Sequence, residues 1–175
     1  MSDNKKRKSR KQYLNDFVMT PNGYVYAGKN FTYLGENYKS FKLKLLIADF
    51  LLIILILFCG FIPSSGMDNS FYVIIPYVVE IAFGGSICWA SFRIMFHGNV
   101  LREYIYQSTV QSLPLRCILY ICAAIVSAMA TLISLVLSDA TIKIIVSSII
   151  VIACKIVAVV VALLLRRVVK NSHWA

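Results

Sequence analysis

Glu80, Lys155 and Asp49 are the residues of this chain whose setting calls for chemistry, because each is an ionisable group inside a long apolar run. Glu80 lies about thirteen residues from Arg93, and Lys155 about eleven from Arg166, which at ~1.5 Å per helical residue puts both at a similar depth of roughly 16 to 20 Å. A lone charge at the centre of a spanning helix costs on the order of 2.5–3.5 kcal/mol, so equal depth predicts that these two groups meet. Such an intramembrane pair has two uses: it fixes helix register and assembly as a structural ion pair, or it exchanges a proton or cation with a pathway. Asp49 sits only a few residues beyond Lys44, shallow enough to predict interfacial pairing with Lys44, Arg93 or Arg116.

Catalytic and metal signatures are missing from the remaining reactive residues. His97 and His173 are the two histidines, both outside the apolar runs and without a serine or cysteine nucleophile motif beside them. Cys59, Cys88, Cys117, Cys122 and Cys154 lie in or at the edges of apolar runs, without CxxC spacing or a matching histidine cluster, and read as packing residues. There is no Walker loop, HExxH or dinucleotide glycine fingerprint. The expectation is a protein that is not an enzyme and takes neither metal nor cofactor.

The elements that position the charges are four runs long enough to span a bilayer, residues 45–62, 71–92, 117–137 and 142–165. Hydrophobic residues make up 59% of the 175-residue chain, with a mean hydropathy of +0.73, which excludes an ordinary soluble domain. The fold class read from this pattern is an all-α integral membrane protein, a bundle of four transmembrane helices carrying a short N-terminal β-hairpin. Sixteen of the eighteen lysines and arginines lie before residue 45, between residues 93 and 116, or after residue 165. The positive-inside rule therefore makes both termini and the middle loop cytoplasmic. The same asymmetry explains the net charge of +10 without nucleic acid. The connections on the other side are Pro63 to Ser70 and Ser138 to Thr141, too short for a folded outer domain.

Stripes of small and polar residues mark the faces expected to look inward: Pro76, Glu80, Gly84 and Ser91 in the second span, Ala123, Ser127, Thr131 and Ser134 in the third, and Ser148, Lys155, Ala158 and Ala162 in the fourth. Trp89, Phe92 and Phe96, with Phe61, Phe71 and Tyr72 at the other ends, fit aromatic belts.

Residues 1–12 form a polybasic tail too charged to fold alone and suited to an anionic inner leaflet. In residues 13–44, β-prone aromatics flank a Gly28-Lys29-Asn30 centre, predicting a hairpin whose Tyr24, Tyr26, Phe31 and Tyr33 need a surface to pack on. In the loop 93–116, Val100, Leu101, Tyr104 and Ile105 at helical spacing predict a short amphipathic helix, with Tyr104 a further docking candidate. Residues 166–175 are a basic tail. The function read from this layout is a non-enzymatic accessory or scaffold subunit of a bacterial cytoplasmic membrane. It presents a basic, aromatic face to a membrane-protein partner or to further copies of itself. The alternative is an oligomeric small transporter or channel that uses Glu80 and Lys155.

Overall fold

The computed structural model describes residues 17–20, 23–26, 28–35, 37–64, 70–137 and 141–175, with side chains from residue 28 onward. The polybasic tail and residues 65–69 and 138–140 lie outside the described residues. Four helices are long and apolar enough to cross a membrane. They are α1 (Tyr38–Phe61), α2 (Phe71–His97), α4 (Leu113–Leu137) and α5 (Ile142–Lys170), with a short α3 (Glu103–Ser108) between the middle two.

All four of these helices run past the apolar segments at the end that carries the basic residues. α1 starts seven residues before Leu45 because Asn37 caps it, its side-chain oxygen accepting the Ser40 amide at 3.3 Å. Phe41 then joins Leu45, Asp49, Leu52, Ile56 and Cys59 on one buried seam, while Lys39, Lys42 and Lys44 point outward. α2 continues through Arg93 to His97 and stops at Gly98, whose φ of 76° is a conformation that other residues adopt only with strain. At 29 residues α5 is roughly 43 Å long, so its last turns carry Arg167 and Lys170 beyond a hydrocarbon layer of about 30 Å.

The long helices form a closed ring in which α1 and α4 are the two neighbours of both α2 and α5. Small residues let them approach: Ala90 on α2, Ala124 on α4, and Ala158 and Ala162 on α5 are all buried in one core with Leu45, Leu52, Ile87 and Tyr120. The three stripes expected to face inward do so, with Glu80, Ser91, Ser127, Thr131, Ser134, Ser148 and Lys155 all buried. The outer faces stay apolar, exposing Phe50, Phe58, Ile133, Ile149 and Leu163 among many others. A surface of that composition is matched to lipid and unsuited to water.

At the basic end three separated parts of the chain are sewn into a platform, and here the sequence reading needs correction. The predicted hairpin would pair Tyr24–Tyr26 with Phe31–Tyr33. Instead β1 (Phe17–Thr20) pairs antiparallel with β2 (Gly23–Tyr26), and β3 (Asn30–Thr32) pairs antiparallel with β4 (Val100–Arg102) from the middle loop. The C-terminal residues add a further edge: Thr32 and Ala175 exchange backbone hydrogen bonds at 2.6 and 3.1 Å, and the Leu34 amide donates to His173 at 2.9 Å. The physical reason is burial. An isolated two-stranded hairpin is marginal, whereas at its observed place β3 stacks Phe31 on Tyr106, with ring centroids 4.3 Å apart, and the adjoining Tyr33 stacks on Phe41 at 5.1 Å. The predicted amphipathic helix is likewise shorter than its pattern. Val100 and Leu101 belong to β4, and only residues 103–108 are helical, because the Gly98 reversal sends the chain back alongside β3.

Candidate functional site

All four long helices meet around Lys155. Its ammonium pairs with Glu80 Oε2, donates to Ser127 Oγ at 2.8 Å, and lies 5.0 Å from the centroid of the Tyr77 ring. The second carboxylate oxygen, Oε1, accepts from the Tyr120 hydroxyl at 3.5 Å. Glu80 is 1% exposed and Lys155 3%, so the pair is sealed from the surface of the bundle. Enclosed in this way, the lysine directs its donors to a carboxylate, a hydroxyl and an aromatic face, which together offset the loss of water.

The fourth helix enters through Tyr77, whose hydroxyl donates to the Ile56 carbonyl of α1 at 2.8 Å. This contact depends on Gly60, because a Cβ there would collide with the Tyr77 hydroxyl. We expect Gly60→Ala to lower stability in detergent by about 1–3 kcal/mol, as overpacking of a close helix contact does. Equilibrium unfolding in mixed micelles checks this, and a variant as stable as the parent would show that α1 and α2 move apart freely.

Equal depth therefore brings Glu80 and Lys155 together, as their positions along the helices predict. Tyr77 and Tyr120 join the site without carrying a charge to mark them in the sequence, although a periodic signal is present. Tyr77 stands one turn before Glu80, and Tyr120, Ala124, Ser127, Thr131 and Ser134 repeat at alternating spacings of four and three along one face of α4. On the side of Lys155 away from the platform, Ser64, Tyr77, Ser127 and Thr131 close in around it and leave no room for a water molecule. The side chains around the pair therefore pack too closely for an organic substrate.

Asp49 stands differently from its expected place. It is 6% exposed, and neither carboxylate oxygen has a hydrogen-bond partner among the described residues. Ser91 of α2 is also buried, and its hydroxyl likewise has no hydrogen-bond partner among the described residues. None of the expected cations reaches it: Lys44 is exposed on another face of α1, Arg93 Nη1 turns to Ser108 Oγ, and Arg116 is engaged with Ser86 and Ser108. The reason is helical phase. Asp49 continues the buried seam from Leu45 to Leu52, whereas Lys44 lies about 140° away around the helix, at 100° per residue over five residues.

The docking candidates divide. Phe31, Tyr33 and Tyr104 are half-buried in the platform; Phe31 and Tyr33 make ring contacts there, Tyr33 meeting Trp174 at 5.3 Å. Tyr24 and Tyr26 lie on β2, and their side chains are outside the described set. Nothing in the periodicity of a short basic tail marks Trp174. It contacts Tyr33, Phe41 and Tyr106 at once. Among the described residues no three His, Cys, Asp or Glu side chains converge as metal ligands.

No family model, curated protein or solved structure matches this chain. Its four apolar helices make it a small integral membrane protein.

Proposed function

We propose that this protein is a non-enzymatic scaffold or accessory subunit, a helical bundle whose purpose is to hold a shaped platform at one membrane face. The observation that carries this reading is the sewing of that platform. The N-terminal strand β3, the middle-loop strand β4 and the C-terminal residues share one set of backbone hydrogen bonds and one aromatic cluster. The connections at the opposite end are nine and four residues long. A chain that spends its polar structure on one face in this way offers that face to a partner, and the strands β1 and β2 are positioned next to it in sequence. By the positive-inside rule the platform faces the cytoplasm, which fits a bacterial cytoplasmic membrane, and the polybasic tail adds attraction to anionic lipid. The enclosed Glu80–Lys155 pair then serves to fix how the four helices register.

Affinity purification of the full chain from native membranes in a mild detergent, followed by intact-mass measurement, tests the reading. The expected result is a heterologous membrane protein at fixed stoichiometry. A clean homo-oligomer without a partner would overturn it and favour the carrier reading, in which Glu80 takes up a proton or cation.

A further inference from the structure

We propose that Arg93 and Arg116, on α2 and α4 at the platform end, form a binding site for the phosphodiester headgroup of an anionic phospholipid. The two guanidinium groups converge on one residue of α3. Arg93 Nη1 donates to Ser108 Oγ at 3.5 Å, and Arg116 Nη2 donates to the Ser108 carbonyl at 3.3 Å. Arg116 Nη1 is further fixed by the Ser86 carbonyl at 2.8 Å and the Ser86 hydroxyl at 2.9 Å. Both arginines are half-buried, and among the described residues neither has a carboxylate within ion-pair distance. Two like charges held together on neutral oxygens leave an excess of positive charge and unused N–H donors, which is the complement of a phosphate with two free oxygens.

Position selects the source of the phosphate. Arg93 directly follows one apolar run and Arg116 directly precedes the next, so the pair stands at headgroup level. Trp89 and Phe92 on α2, with Leu115 and Leu119 on α4, are exposed apolar residues within one turn of the two arginines along their helices. Trp89 shares the helix face of Ser86 and Arg93 at spacings of three and four residues. A soluble phosphate would gain nothing from this apolar rim, whereas the glycerol and upper acyl chains of a lipid would lie along it. Basic pockets between transmembrane helices hold acidic headgroups by this combination of charge and flanking apolar surface. The inference does not depend on the scaffold reading, since a carrier would hold the same lipid at the same place.

The test is native mass spectrometry of the full chain released from mixed micelles holding equal amounts of phosphatidylglycerol and phosphatidylcholine. We expect phosphatidylglycerol to be retained in preference, and Arg93→Gln and Arg116→Gln each to reduce its retention about tenfold, the scale of one lost charge-assisted hydrogen bond. Lys39→Gln with Lys42→Gln, which removes the same kind of charge from an exposed stretch of α1, should leave retention unchanged. Arg116 also ties α4 to α2 through Ser86, so Arg93→Gln, which gives up only the long contact to Ser108, decides the matter if the Arg116 variant misfolds. Equal retention of the two lipids, or full phosphatidylglycerol retention in Arg93→Gln, overturns the proposal. Displacement of the lipid by inorganic phosphate would assign the site to a soluble anion and overturn it as well.

Discussion

Lys155→Met is expected to destabilise the detergent-solubilised protein by about 3–5 kcal/mol, the usual effect of stranding one member of a buried ion pair. The variant leaves the Glu80 carboxylate with the Tyr120 hydroxyl alone, at 3.5 Å, inside a bundle where it is 1% exposed. Glu80→Leu should fall in the same range, because it leaves the ammonium with Ser127 Oγ and the Tyr77 ring. The double variant Glu80→Leu with Lys155→Met removes both charges and their desolvation together, so it should return to within about 1–2 kcal/mol of the parent. Reversible unfolding in mixed micelles gives all three values and hence the coupling between the sites. Single variants as stable as the parent would dismiss the structural role of the pair. A double variant no better than either single would show that these side chains act separately.

Trp174→Ala is expected to loosen the platform by about 2 kcal/mol while leaving the bundle intact, since the lost ring is half-buried and serves only the aromatic cluster. Trp174 touches Tyr33, Phe41 and Tyr106, with ring centroids 5.3, 6.3 and 6.2 Å away, and its backbone pairs with Tyr33. Without it the C-terminal residues have little to hold them on β3. Amide exchange at Thr32 and Leu34, whose donors bond to Ala175 and His173, should then quicken about 30-fold. Amides in the middle of α2 and α4 should keep their protection. Unchanged exchange at Thr32 and Leu34 would mean that β4 alone secures β3, and loss of protection throughout would mean that platform and bundle form one cooperative unit. The same variant bears on function, because a partner that reads the platform should bind it more weakly.

Much of this architecture was legible along the chain because a membrane imposes a local code. Spanning length, charge distribution and the small-residue stripes depend on neighbours within one helix, and 3.6-residue periodicity translates them directly into faces. The depth match of Glu80 and Lys155 belongs to the same class, since depth is a count of residues from the end of a helix. Those features the sequence by itself determined. The tertiary structure alone decided which strands pair, because β3 chose between a nearby partner on β2 and a distant one on β4, and the choice turned on aromatic burial against Tyr106, Phe41 and Trp174. It also decided the setting of Asp49, a matter of rotation about α1 that places the carboxyl on the seam with Leu45 and Leu52 and away from the surface cations. The convergence of Arg93 and Arg116 on Ser108 has the same origin. Contacts between residues far apart in sequence follow from how whole helices and strands pack, and no periodicity within a single segment encodes that packing.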